Sequence, residues 1–196
     1  GKYDDKNFKK MYRLAKILSM QKGKMRVNKK HLLNEVSKKL EEKNLLPAIF
    51  FTLSRKKCQE YMTYMEKSLN TYEEQVQVDK TVGYLMSKID NSETYTHLVD
   101  FQESLKYWRK GIAIHHSGLV PIFKEIIEIL YSQNLIKILF ATETFAVGVN
   151  MPTKTAVFTG ITKYDNNGGF RFLHAHEYTQ MSGRAGRRGL DIFGTV

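Results

Sequence analysis

The chain has 196 residues, 42% hydrophobic and 26% charged, which is the composition of a globular protein with a packed core and excludes a disordered or fibrous one. Its formal net charge is +11, but residues 1–46 hold fourteen Lys/Arg against five Asp/Glu, so the basic excess is mostly an N-terminal property and does not by itself establish a nucleic-acid partner. No apolar run approaches the roughly 18 residues of a bilayer span, no apolar h-region follows the lysine-rich start, and a single cysteine, Cys58, forbids an internal disulfide and points to a reducing, intracellular setting.

Residues 1–28 read as a basic lead-in or interdomain linker, with Phe8, Met11, Tyr12, Ala15 and Leu18 at helical spacing. Leu32, Leu33, Val36 and Leu40 predict a helix over 29–43, and residues 47–53 (PAIFFTL) have the length and apolarity of a buried strand. Ser54 is a natural N-cap for a helix over 55–69. Thr71 and Glu74 make a capping-box pattern that opens a further helix to residue 89. Another helix covers 98–110, with Gly111 suited to the left-handed position past its end. Residues 70–110 carry no motif chemistry and read as a helical insertion.

After Gly111 the alternation tightens. IAIHH (112–116) reads as a strand, Pro121 opens a helix over 121–131, and IKILFA (136–141) reads as a second strand. A short helix starts near Glu143, and TAVFTG (155–160) reads as a third strand of this run. Strands alternating with helices over short loops predict an α/β fold: a mostly parallel sheet with helices on both faces. Ligands gather at the carboxyl ends of such strands. Polar residues follow the strands here repeatedly: Ser54 and Arg55, then His116, Ser117 and Gly118, then Thr142, Glu143 and Thr144.

The densest chemistry lies in residues 180–189, QMSGRAGRRG. Glycine in a helix interior costs about 1 kcal/mol relative to alanine, so helix stability does not select three of them; they let a backbone or a ligand come close. Arg184 and Arg187 stand three apart, on one face if the segment is a helical turn, and their planar forks suit phosphate. A glycine-rich surface turn with solvated arginines explains the spacing equally well. His115 and His116, adjacent on a strand, face opposite sides, and His174 and His176 fall in an expected loop, so no metal site is read from the chain. The Tyr and Phe residues sit mostly at core spacing and read as packing.

In order along the chain, PAIFFTLSRKKC, GIAIHHSGL, ILFATETFAVGVNMPTKTAVFTG and QMSGRAGRRG resemble the motifs of the second RecA-like domain of superfamily 2 helicases. The resemblance covers 47–66 and 111–196. Within the superfamily, HHSGL, ATETF, VNMPTKTAVFT and SGRAGRRGLD are most similar to the Ski-like, exosome-associated RNA helicases. Ile192 and Phe193, where a polar pair is usual, and the loop 166–169 depart from that pattern.

The resemblance implies that Arg184 and Arg187 are arginine fingers reaching a γ-phosphate across a cleft, a role worth about 10³–10⁵ in rate. It implies that Gln180 touches the same phosphate or the attacking water, and that Gly148 and Asn150 lie near the ribose. It implies a nucleic-acid track over Ser54, Arg55, His116, Ser117, Gly118, Thr142, Glu143 and Thr144, where hydroxyls, amides and helix N-termini bind phosphates without reading sequence. Neither a GxxxxGK[ST] phosphate loop nor an acidic Mg²⁺ motif occurs in the chain. ATP and Mg²⁺ are then held mainly by an N-terminal RecA-like domain.

On this reading 29–196 is a single RecA-like helicase C-terminal domain, cut inside a strand at 194–196 and inactive alone. The full-length protein is expected to be an ATP-dependent 3′-to-5′ RNA helicase. Its expected partners are RNA or DNA, the N-terminal RecA-like domain and RNA-degradation machinery, with no membrane. Two alternatives stay open: a catalytically inactive binding or regulatory module on the same fold, and a DNA helicase of the same superfamily. The choice between RNA and DNA rests on contacts such as those to the 2′-OH, which no motif identifies.

Overall fold

The computed structural model describes residues 13, 28–146, 153–164, 169–186, 191 and 194–196. The amphipathic spacing read at 8–18 therefore lies, apart from Arg13, outside it. Helices begin where caps are available. Asn28 accepts from His31 N at 3.1 Å and opens α1 (Lys29–Glu42). Beyond β1 (Ala48–Phe51), Ser54 accepts from Lys57 N and opens α2 (Arg55–Tyr64). Thr71 and Glu74 form both bonds of the capping box and open α3 (Tyr72–Met86).

α2 stops at Tyr64, five residues short of the sequence prediction. Asn34, on α1, is the reason: its Nδ2 donates to Tyr64 O at 2.8 Å and its Oδ1 accepts from Glu66 N at 3.2 Å. A side chain from another helix thus satisfies the backbone groups at the helix end. A short α4 (Ser92–Thr96), which the sequence did not signal, precedes α5 (Val99–Arg109), and Gly111 takes φ +79° beyond α5 as expected. Next come β2 (Ile112–His115), α6 (Pro121–Ser132) with proline in its first turn, β3 (Ile138–Ala141) and a 3₁₀ turn (Glu143–Ala146). The chain ends with β4 (Thr155–Phe158), a hairpin of β5 (Thr162–Tyr164) and β6 (Phe170–Phe172), and α7 (Ala175–Ser182). Among the described residues no helix is long and apolar enough to cross a membrane.

β2, β3, β1 and β4 form one parallel sheet in that order. At the β4 edge Thr195 pairs parallel with Thr155, and Ala156 N donates to Thr195 O at 2.9 Å. Alternation along the strands splits the core in two. Phe50, Ile114 and Phe140 face α1 and α2, packing with Leu33, Leu40, Cys58, Tyr61 and Met62. Ile49, Phe51, Leu139 and Ala156 face α3, α5, α6 and α7. Helices on both faces of a mostly parallel sheet are what the alternating pattern predicted. Cys58 is fully buried, with Thr52 Oγ1 3.0 Å from its sulfur, and burial pushes its thiol up to about 11, so it packs as an inert thiol.

The helices of 70–110 are not peripheral. Val78, Val82 and Met86 of α3, with Phe101 and Trp108 of α5, belong to the same buried cluster as the inner face of α6. Trp108 is 1% exposed and meets the rings of Phe101 and Phe123 edge-on at 6.0 and 6.1 Å. Truncating such a side chain costs about 3–5 kcal/mol. Trp108→Ala should lower the unfolding free energy by that amount in urea titrations. A loss under about 1 kcal/mol, typical of an uncoupled surface site, would place α3 and α5 outside the cooperative core.

Candidate functional sites at the two ends of the sheet

Because β2, β3 and β1 are neighbours and parallel, the residues that follow them emerge side by side at one edge. After β1, Leu53 turns at φ +55°, a left-handed conformation that costs a bulky residue about 1–3 kcal/mol. That turn delivers Ser54 to its capping position. Arg55 Nη2 donates to Ser117 Oγ at 2.6 Å, tying the start of α2 to the loop after β2. Gly118 lies against the same guanidinium: a Cβ placed there would stand 3.3 Å from Arg55 Nη1.

His116 points to the α2 face, and its Nδ1 accepts from Gly118 N at 3.1 Å. Burial, with the Arg55 guanidinium beside it, lowers its pKa, and an accepting Nδ1 leaves Nε2 as the nitrogen that carries the proton of the neutral ring. His115 points to the other face, as the sequence predicted. Its Nε2 lies 2.9 Å from Glu128 Oε1 and its ring sits 4.7 Å from that of Phe145; burial lowers its pKa too. After β3, buried Thr142 and exposed Thr144 share a hydrogen bond at 2.9 Å. The edge therefore presents hydroxyls, the N-terminus of α2 and a guanidinium that commits one of its five N–H donors to Ser117. Such groups suit anionic oxygens of a polymer backbone.

Glu143 differs from its neighbours. Its carboxylate lies 3.1 Å from Lys163 Nζ, and Lys163 also reaches Glu177 Oε1 at 3.0 Å. Arg171 grips both Glu177 oxygens, Nη1 at 2.7 Å and Nη2 at 2.8 Å, while His174 N donates to Oε2 at 2.8 Å. The hairpin, the 3₁₀ turn and the first turn of α7 are thereby joined. His174 and His176 belong to that helix start, not to the loop read from sequence. The sequence reading missed Lys163, Arg171 and Glu177; strand-like TKY and FRF flanking an Asn-Gly-rich turn are the signal that would have found the hairpin. Tyr164 and Phe170 of the hairpin, 63% and 78% exposed, are among the aromatics that do not pack in the core.

The Arg171 contact, with the His174 amide and Lys163, holds the Glu177 carboxyl far below its ordinary 4.5. A carboxyl depressed in the folded state stabilises the fold fully above its unfolded pKa and loses that contribution as pH falls below it. Denaturant midpoints should therefore drop as pH falls from about 5 to about 3, and Glu177→Gln should flatten that slope. An unchanged slope in the variant would assign the acid sensitivity to other carboxylates.

Residues 180–186 of the arginine-rich segment lie at the other end of the strands. α7 starts beside Glu143 at the carboxyl edge, Tyr178 stacks on Phe158 of β4 at 4.9 Å, and Met181 is buried in the core. Its end is level with the entry to β4: Ala185 pairs with Thr153, and Gly186 N donates to Thr153 O at 2.9 Å. Gln180 is exposed in the last turn, and Arg184, partly exposed, follows the C-cap Gly183. Gly186 takes φ +92°, a left-handed turn just after Arg184. Arg187, Gly148 and Asn150 lie outside the described residues. Among the described residues no group of three or more His, Cys, Asp or Glu could hold a metal ion.

Comparison with known proteins shows the family of the chain. The helicase conserved C-terminal domain family matches residues 24–189. The exosome RNA helicase MTR4 of Mus musculus is 45% identical over 163 residues, 83% of this chain and 15% of that protein. The antiviral helicase SKI2 of Saccharomyces cerevisiae is 43% identical over the same share of this chain and 12% of its own length. An uncharacterized helicase of Schizosaccharomyces pombe, C17H9.02, is 38% identical over 99% of this chain and 19% of its own. The chain thus spans less than a fifth of the length of these relatives. It belongs to the helicase conserved C-terminal domain family.

Proposed function

We propose that this chain is the C-terminal helicase domain of an ATP-dependent RNA helicase with 3′-to-5′ polarity. The observation that carries the reading is α7: in a helicase-family chain it spans the sheet, with Gln180 and Arg184 at one end and its first turn tied to the phosphate-suited edge at the other. RNA is favoured over DNA because relatives are named as RNA helicases, among them the ATP-dependent RNA helicase mtr4 of Schizosaccharomyces pombe at 44% identity. The word exosome in the mouse relative's name motivates an association with RNA-degradation machinery.

Residues 29–196 form the domain on this reading, and 1–28 lead in from a facing RecA-like domain. That facing domain holds ATP and Mg²⁺, the ion supplying charge neutralisation at the phosphates. Gln180, Arg184 and Arg187 complete the site from this side. A guanidinium placed at the γ-phosphate meets negative charge as it spreads over the transferring oxygens and requires no reorganisation at that moment. Gly148 and Asn150 contact the ribose side. Ser54, Arg55, His116, Ser117, Gly118, Thr142 and Thr144 hold the RNA backbone, while Glu143 serves through Lys163 instead of touching phosphate.

In the full-length protein, Arg184→Ala and Arg187→Ala should each lower ATP turnover by about 10³-fold while RNA affinity changes little. Near-normal turnover in both would remove them from the catalytic set, and a wild-type protein without any ATPase would favour an inactive binding module. Arg55→Ala should weaken binding of unrelated RNA sequences alike and reduce the salt-dependence slope by about one unit in titrations at several salt concentrations. An unchanged slope would remove Arg55 from the track. Unwinding assays on matched RNA and DNA duplexes separate the two substrates.

A further inference from the structure

Lys163 stands where three elements meet, and it touches neither ATP nor RNA in the proposed chemistry. Its ammonium bridges Glu143, in the 3₁₀ turn directly after Thr142, and Glu177, in the first turn of α7. Its side chain is 20% exposed and that of Glu177 is 13% exposed, so the bridge is less screened than a surface ion pair. Burial alone would lower the Lys163 pKa, but the hydrogen bonds to Glu177 and Glu143 outweigh it and raise it. Glu177 is also held by Arg171, which shares Oε1 with Lys163 and takes Oε2 as well, and by the His174 amide on Oε2; of these groups Lys163 alone also reaches Glu143.

α7 is a stiff lever. Its eight residues rise about 12 Å, close to the length of one strand of the sheet. Tyr178 on Phe158 and buried Met181 seat it against the sheet along that length. Glu143 and Lys163 join the 3₁₀ turn, whose Thr144 belongs to the candidate nucleic-acid edge, to the first turn of the helix. Gln180 and Arg184 ride on its other end.

We propose that Lys163 is a positioning residue that couples RNA binding at the carboxyl edge of the sheet to the placement of Gln180 and Arg184. The proposal rests on the helicase reading above, and it assigns Lys163 to RNA stimulation of the ATPase, not to ATP binding or to RNA binding itself.

The test compares ATP turnover of the full-length protein with and without a single-stranded oligoadenylate, for wild type, Lys163→Met and Lys163→Arg. Coupling between sites commonly amounts to about fivefold or more, so Lys163→Met should reduce the stimulation ratio by about that factor. Turnover without RNA, the KM for ATP and the Kd for the oligonucleotide should stay near wild type. Lys163→Arg, which keeps the charge, should restore most of the ratio. Glu143→Gln cuts the same link from its other side and should reproduce the loss of stimulation. A full stimulation ratio in Lys163→Met overturns the inference and leaves the helicase reading standing. Equal loss of basal and stimulated turnover, without rescue by arginine, also overturns it and makes Lys163 a structural brace. A wild-type protein whose ATPase ignores RNA removes the helicase reading, and this inference falls with it.

Discussion

The register of β1 is the constraint on which the rest depends. Ala48 stands opposite Ile138 on one side and Thr155 on the other, and all four residues of the strand are fully buried. A slip by one residue would exchange Phe50 and Phe51 between the two cores, where each is packed among different helices. With the register fixed, alternation carries beyond the strand ends. Thr52 reaches the α2 side, where it meets Cys58, and His116 continues on that side while His115 goes to α6. The polar edge is therefore a continuation of the pleat, and its side chains inherit their directions from buried hydrophobic neighbours.

Much of this was legible because a doubly covered parallel strand and a capped helix both leave local signatures. Four-residue strands such as AIFF and ILFA are apolar throughout, and the capping pair Thr71 and Glu74 formed as spelled. What escaped was decided between elements. The end of α2 is set by Asn34, thirty residues before Tyr64, and no local periodicity encodes that. α4 is five residues with none of them buried, too short to show an apolar face. The helices of 70–110 carried no motif and read as a helical insertion; that they bury Trp108 against α6 was not legible, because lack of motif chemistry says nothing about packing.

The candidate site divides along the same line. Residues that follow strands could be grouped from the β-α alternation alone, because parallel strands deliver their ends to one edge. The arginine segment could not be placed that way. The position of its described part, up to Gly186, comes from main-chain pairing with Thr153, beyond the reach of side-chain patterns. Glu143 shows the complementary difficulty: its place in the chain suggested a phosphate contact, while its charge is satisfied by a lysine twenty residues later on a hairpin the sequence reading did not resolve.

Gly186 connects these points to function. Its backbone must turn left-handed for its amide to reach Thr153, which fixes how the chain leaves α7 just after Arg184. A side chain at that φ would strain the turn and shift the pairing with β4. The glycine is thus called for by backbone conformation. Arg184 owes its position to two backbone anchors, the bond from its own amide to Met181 O at 3.2 Å and the Gly186 bond beyond it. A guanidinium on a long side chain gains from such anchoring, because every rotor frozen by the scaffold is one that need not be frozen by the ligand. With α7 held at its start by Glu177 and at its end by this turn, the two candidate sites are connected through packed and hydrogen-bonded contacts.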